Sequence, residues 1–458
     1  MRSIILSALT LAAVSACANA PDMSPVNARL TLAPTPHPAG KALEGDVIAL
    51  AFSGGGARSA AFSYGALLGL REMRTPAGDR LIDRVALVTA VSGGAVTAAW
   101  FGQHGPDGLD GFRAALNKDW ASRLRTSWMS PGNWRRLMDG GMNGRDRLGD
   151  WLDREVFAGG VMGDLSSRPR ILINATDLFT GAPFAFAEPW FEALCSDLST
   201  VRIADAVAAS MAVPLAFRPT VIASYGSDCA APQALWIEAA VRDRSAPVIV
   251  RETARALQAY RDPERMKYLH LVDGGVVDNF GLAGLATLRR ASGLPHAPFT
   301  SQEAVGLRRL TVIVVNAEMM TSGDWALDET GPNGAETIAA ALENSIKAAK
   351  RNALDAFAGQ LTLWEREMMD WRCGLSRDAS NALGARPGWT CADLDSVLDV
   401  ISFADLASDQ SGRLGSMPTE VSLPSGLLDD LIDGGRRAVT GNAALLALTT
   451  GLPMTATR

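Results

Sequence analysis

The sequence predicts an α/β fold in three layers, with helices on both faces of a mainly parallel sheet and additional helices toward the C-terminus. Three observations predict it. Continuous apolar runs of strand length recur at Val47 to Phe52, Val85 to Val91, Ile171 to Ala175, Tyr268 to Val272 and Leu310 to Val315. Unbroken rather than alternating runs suit strands covered on both faces. Helical patterns lie between them, as at Ala60 to Arg71 and Ala95 to Phe101, which is the alternation of a parallel α/β sheet. Glycine-rich turns follow three of the strands, and in such sheets ligands bind at the carboxyl ends of the strands.

Composition agrees with a globular chain. The 458 residues are 48% hydrophobic and 20% charged, enough to bury a sizeable core and to exclude disorder for the bulk. Forty-three Lys and Arg against 49 Asp and Glu give a net charge of −6, so no overall basic field recruits nucleic acid.

Met1-Arg2 and the apolar run Ile4 to Val14 read as a secretory signal, since a bilayer-spanning helix takes ~20 residues. Val14-Ser15-Ala16-Cys17 resembles the lipobox of bacterial lipoproteins, which implies a signal over residues 1–16 and a lipid on Cys17. Cleavage after Ala18 or Ala20 is the alternative. Ala18 rather than Asp after the cysteine implies the outer membrane of a bacterial envelope, with the lipid as the membrane anchor. Residues 17–45 carry Pro21, Pro25, Pro34, Pro36 and Pro38 among small residues and read as a tether.

Four cysteines remain: Cys195, Cys229, Cys373 and Cys391. In an exported chain they suggest two disulfides, of which the pairs nearest in sequence are Cys195 with Cys229 and Cys373 with Cys391. Buried free thiols are the alternative. No Cys-x-x-Cys or His-x-x-x-His spacing points to a metal.

The first chemistry-bearing turn is Ser53-Gly54-Gly55-Gly56-Ala57-Arg58, between the strand ending at Phe52 and the helix near Ala60. Glycines let the backbone turn its N–H groups toward an anion, and the helix N-terminus adds positive potential. Ser59 stands where a dinucleotide-binding G-x-G-x-x-G needs glycine, and no Lys-Ser/Thr follows for a P-loop. The second is Ala90-Val91-Ser92-Gly93-Gly94, a nucleophile elbow with Ala90 in place of the usual first glycine. The third is Asp273-Gly274-Gly275-Val276-Val277-Asp278-Asn279 after the strand ending at Val272. Its carboxylate can lean over the strand end that carries Ser92, although a lone Asp-Gly-Gly is usually an ordinary turn.

Three such features in this order resemble the patatin-like phospholipase family. Asn174-Ala175-Thr176-Asp177-Leu178, Ala209-Ser210-Met211-Ala212-Val213-Pro214 with Phe217 and Pro219, and Pro418-Thr419 add to the resemblance. It covers residues 46–290 as a catalytic core and implies the three-layer patatin-like fold, with residues 291–458 as a C-terminal strand and helical extension packed on it. It implies a Ser-Asp dyad, Ser92 as nucleophile and Asp273 as general base. The loop Gly54, Gly55, Gly56, Ala57 and Arg58 frames the oxyanion hole, the amides of Gly55 and Gly56 foremost and that of Ala57 next. Arg58 would hold the loop or meet a phosphate. Gly93 and Gly94 complete the elbow, and Gly274 and Gly275 the Asp-Gly-Gly turn. The resemblance implies a lipid or phospholipid substrate and no cofactor or metal.

A Ser-His-Asp triad is the rival arrangement. Of the four histidines, His37 lies in the tether, His104 in a loop, His270 in the strand leading to Asp273 and His296 after Pro295. His270 is three residues from Asp273, which puts the two side chains on opposite faces of a strand. Carboxylesterase or thioesterase activity on small soluble esters, and a non-catalytic lipid-binding lipoprotein, are the competing functions.

Trp120 to Trp151 interleaves Trp128, Met129, Trp134, Met138 and Met142 with Arg123, Arg125, Arg135, Arg136, Arg145 and Arg147. Such a segment suits a lid or the mouth of an acyl pocket, or a cap whose aromatics fill core. Ala335 to Phe357 places Ile338, Leu342, Ile346, Ala349, Ala353 and Phe357 on one helical face, with Lys347, Lys350 and Arg351 on another. A last helix runs from Ser425 to Ile432 and is expected to stop at Gly434-Gly435.

Overall fold

The computed structural model describes residues 24–31 and 44–450, apart from 126, 128, 129, 230, 231, 320–323 and 418. The signal segment, Cys17, His37, most of the tether, Trp128, Met129 and Pro418 therefore lie outside the described residues.

The strands of the main sheet are β1 (Gly45–Phe52), β2 (Val85–Val91), β3 (Arg170–Asp177), β4 (Pro183–Ala185), β5 (Thr220–Ala223), β6 (Tyr268–Asp273), β7 (Leu307–Asn316) and β8 (Asp395–Ser402). They lie in the order β8-β7-β1-β2-β3-β6-β5, with β4 also paired to β3. β8, β7, β1, β2 and β3 are mutually parallel, whereas β4, β5 and β6 pair antiparallel.

Alternation along β1 divides the core into two faces. Ile48, Leu50 and Phe52 join one apolar cluster with helices α1 (Gly56–Glu72), α2 (Gly93–His104), α3 (Ile203–Ser210) and α6 (Ser425–Thr440). Val47, Ala49 and Ala51 join another with α4 (Leu282–Ala291) and α5 (Gly334–Cys373). A sheet buried on both faces explains the unbroken apolar runs of the sequence.

The C-terminal third does more than pack on a finished core. β7 hydrogen-bonds along the length of β1, and β8 extends the sheet beyond it, so residues 291–458 supply two parallel strands. α5 runs well past Phe357, and its packed stripe is Phe357, Leu361, Trp364 and Met368. Ala349 is exposed, and the side chains of Ile338, Leu342 and Ile346 lie outside the described residues.

α6 does not stop at its glycine pair. Gly434 and Gly435 sit inside the helix, where a Cβ on Gly435 would stand 2.1 Å from the Phe62 carbonyl oxygen. On the facing helix, a Cβ on Gly65 would stand 1.9 Å from the Ile432 carbonyl oxygen. These glycines serve backbone contact between α1 and α6 rather than termination, which overrides their weak helix propensity.

Cys195 is joined to Cys229 and Cys373 to Cys391, with Cα separations of 5.6 and 4.9 Å. Among the described residues no helix is long and apolar enough to cross a membrane.

Candidate active site

The register of β3 brings two distant segments together. Val91, the last residue of β2, pairs with Asn174, and Asp273, the last residue of β6, pairs with Ala175, the next residue along β3. β2 runs parallel to β3 and β6 antiparallel, so their carboxyl ends meet there.

Ser92 follows β2 immediately and caps α2 with φ 52° and ψ −123°. A side chain at such a backbone angle is strained, and the strain turns the hydroxyl outward at the top of the sheet. The turn is possible only because its neighbours are small. A Cβ on Gly93 would lie 1.9 Å from the Gly56 carbonyl oxygen, and one on Gly94 would lie 2.7 Å from that of Ser53. The Ser92 N–H donates to Ser210 Oγ at 2.8 Å, and that hydroxyl donates to the Asn174 carbonyl at 2.5 Å. Asn174 Nδ2 in turn donates to Thr89 Oγ1 at 2.8 Å and to the Ala90 carbonyl at 3.0 Å. A fully buried polar chain thus ties the elbow to β2, β3 and α3.

Ser92 Oγ donates to Asp273 Oδ2 at 2.8 Å, while Oδ1 accepts from the Gly275 amide at 2.8 Å. Burial raises the Asp273 carboxyl to about 6, and the bonds from Gly275 and Ser92 restrain the rise. The backbone N–H of Asp273 donates to the Ala212 carbonyl at 2.9 Å. Asp278 plays a different part. It is buried, its carboxyl is raised by desolvation, and it accepts from the amides of Phe280, Gly281 and Ala283 at the start of α4.

The glycine loop lies against Ser92: a Cβ on Gly54 would stand 3.3 Å from that of Ser92. Two of its amides are already committed, Gly54 N–H to the Asn279 carbonyl at 3.1 Å and Ala57 N–H to the Glu420 carbonyl at 2.7 Å. That removes both from the expected oxyanion donors and leaves Gly55 and Gly56, whose amides have no partner among the described residues. Gly56 has φ +60°, and a Cβ there would lie 2.3 Å from the Glu420 carbonyl oxygen.

Arg58 is 2% exposed and holds the loop. Its Nε donates to the Ala317 carbonyl at 2.8 Å, its Nη1 to the Met417 carbonyl, and its Nη2 to Thr419 Oγ1 at 3.0 Å. Desolvation lowers its pKa to about 10, partly offset by Glu318.

Ser92, Asp273, Gly54, Gly55 and Gly275 open into a cavity of about 340 Å³ whose other walls include Val213, Pro214, Val276, Asn279, Glu318, Met319 and Lys350. No histidine among the described residues lines it. His104 packs at a tilt against Trp100 with ring centroids 4.1 Å apart, His270 is exposed on β6, and His296 bonds the Phe299 carbonyl at 2.8 Å.

The aromatic and basic segment divides. Trp120 and Trp151 are buried and pack together with ring centroids 4.7 Å apart. Trp134 and Met138, on the helix Pro131–Met138, are 58% and 84% exposed. The segment is tied to the loop that carries Val213 and Pro214 by Met142 N–H to the Leu215 carbonyl and Asn143 N–H to that of Ala216, both 3.2 Å.

In the sequence Asn174, Ser210 and Asn279 stand only as members of longer motifs, and Glu318 and Lys350 have no part in a site. Asn174 is marked further as a lone Asn within the apolar run of β3. Lys350, on the polar face of its helix by periodicity, is only 11% exposed.

A family model described as "Patatin-like phospholipase" matches residues 50–286. No curated protein is similar enough in sequence to match. Among solved structures, human GIVD cytosolic phospholipase A2 is similar at a TM-score of 0.40 and 14% identity, over 88% of this chain and 62% of that one. The chain thus spans less than two thirds of the length of that enzyme.

Proposed function

The chain belongs to the patatin-like phospholipase family, and from that premise we propose that it is a serine acyl hydrolase of lipid esters working through a Ser92–Asp273 dyad. Lipid acyl hydrolysis is the activity of the family. The observation that carries the finer reading is the 2.8 Å hydrogen bond from Ser92 Oγ to a buried carboxylate, both lining one cavity with Gly55, whose amide and that of the adjoining Gly56 have no partner among the described residues.

In the first half-reaction Ser92 Oγ attacks the ester carbonyl carbon as its proton passes to Asp273 Oδ2. The carbonyl oxygen takes up the electron pair and is met by the N–H groups of Gly55 and Gly56, a donor of this kind contributing ~3 kcal/mol. Collapse of the tetrahedral species breaks the bond to the alcohol, which leaves with the proton from Asp273. Water then attacks the acyl-Ser92 ester, Asp273 takes the water proton and returns it to Ser92, and the fatty acid departs. A carboxyl at about 6 is a stronger base than a free one and is still ionised at neutral pH.

Cys17 and the apolar run before it support a lipid-anchored location in a bacterial envelope, which would keep the domain beside its substrate. Metabolic labelling with a fatty-acid analogue, compared between the native sequence and Cys17→Ser, tests that part.

The hydrolase reading is tested by a fluorophosphonate, which reacts with an activated serine. Adduct mapping is expected to find Ser92, and Ser92→Ala to lose both labelling and at least ~10⁴ of hydrolysis in a folded protein. An unlabelled Ser92 in a folded wild type would overturn it.

A further inference from the structure

The cavity above Ser92 carries more charge than ester cleavage requires. Besides Asp273 it is lined by Arg58, Glu318 and Lys350. Arg58 is fixed in place, because its Nε, Nη1 and Nη2 each donate to a protein acceptor, which uses three of its five N–H groups. The second cation is Lys350, which α5 delivers to the cavity with Nζ 3.1 Å from Glu318 Oε1. An ammonium has three donors and a carboxylate about four acceptor sites. Glu318 is the acceptor that Lys350 meets, and the other Glu318 oxygen faces Asn316 Nδ2 at a long 3.5 Å. Both groups therefore keep hydrogen-bonding capacity, and they are only 11% and 24% exposed.

A fixed positive and a fixed negative group, side by side in a cavity partly screened from water, favour a ligand that carries the opposite pair. We propose that Lys350 and Glu318 form a headgroup site for a zwitterionic phosphodiester lipid with a primary ammonium, Lys350 meeting the phosphate oxygens and Glu318 the ammonium. The four charges then alternate around a ring, so each has an opposite charge on both sides. An anionic headgroup meets Lys350 but brings no cation of its own for Glu318, whose carboxylate then repels the phosphate, and a neutral diacylglycerol uses neither group. A quaternary ammonium is normally held by aromatic faces, and none of the described residues lining this cavity is aromatic. This rests on the acyl hydrolase reading and assigns it a substrate class.

The test uses the full chain and three lipids with identical acyl chains in nonionic detergent micelles: a phosphatidylethanolamine, a phosphatidylglycerol and a diacylglycerol. The wild type is expected to cleave the first with kcat/KM about tenfold above the second, the worth of one charge-assisted hydrogen bond. Glu318→Gln is expected to remove that preference. Lys350→Met is expected to lower both phosphodiester lipids about tenfold relative to diacylglycerol. Fluorophosphonate labelling of Ser92 in each variant reports that the fold and the nucleophile persist. A phosphatidylethanolamine preference that survives Glu318→Gln, or equal losses on all three lipids in Lys350→Met, would overturn the headgroup site and leave the hydrolase standing. Labelled enzyme that cleaves only small esters would overturn the headgroup site and the lipid substrate together, and leave the Ser92–Asp273 esterase chemistry. A wild type whose Ser92 is not labelled and which cleaves no ester would remove both readings.

Discussion

Replacing Asp273 with asparagine is expected to abolish turnover and, at neutral pH, to make the fold more stable. Burial raises the Asp273 carboxyl from 3.8 to about 6, so the folded state binds this proton more tightly than the unfolded state does. At ~1.4 kcal/mol per unit, the difference is about 3 kcal/mol. The sign follows from linkage: a group raised on folding contributes stability that is fully present below its unfolded value and is lost as the pH climbs through its folded value. Above about pH 6 the fold therefore bears the whole cost of an ionised carboxylate out of water. Asparagine carries no charge and still accepts from the Gly275 amide through its carbonyl oxygen. The loss of the charge-assisted character of both bonds is already inside this figure, because the bonds from Gly275 and Ser92 restrain the rise to about 6. Urea unfolding at pH 7.5 should therefore show Asp273→Asn ahead by about 3 kcal/mol, with the gap closing toward pH 4. Wild-type kcat/KM should fall about tenfold per pH unit below about 6, as the base becomes protonated. A variant no more stable than wild type at pH 7.5, or a gap of constant size across this range, would refute the assignment of a costly buried carboxylate.

Other substitutions probe the supports of the site. Ser210→Ala removes the acceptor of the strained Ser92 amide and is expected to cost about 1–3 kcal/mol in denaturant unfolding, with slower fluorophosphonate labelling. Gly435→Ala drives a methyl group against the Phe62 carbonyl and should cost about 3 kcal/mol by separating α1 from α6, read as a lower denaturation midpoint. Replacing Cys373 and Cys391 with serine opens a loop of 18 residues and should cost about 3 kcal/mol, a difference that a reductant erases in the wild type.

The sheet was legible because most of its central strands are covered on both faces and so spell unbroken apolar runs. β8 escaped because it is an edge strand whose residues are mostly half-buried, and Asp395 and Asp399 interrupt its pattern. The glycine pair of α6 misled for a complementary reason. A glycine that ends a helix and one that admits a neighbouring backbone look alike in one dimension, and only the position of Phe62 and Gly65 tells them apart.

At the site, the readable residues were those whose chemistry imposes a local backbone signature. An elbow needs Gly93 and Gly94, and a loop with inward amides needs Gly55 and Gly56, so Ser92 and its surroundings announce themselves in sequence. Asp273 is marked by the glycines after it, yet its distance to Ser92 is fixed by something no local pattern carries: β3 changes partner from β2 to β6 between Asn174 and Ala175. The reversal of β6 puts two carboxyl ends tip to tip instead of side by side. Ser210 and Lys350 depend on the same long-range placement and impose nothing on their own neighbours. Ser210 closes an ordinary helix, and Lys350 sits among other charges on a helix whose other faces meet solvent and core. Backbone geometry that chemistry demands can be read along the chain, whereas a side chain that merely arrives from elsewhere becomes visible only once the sheet order is known.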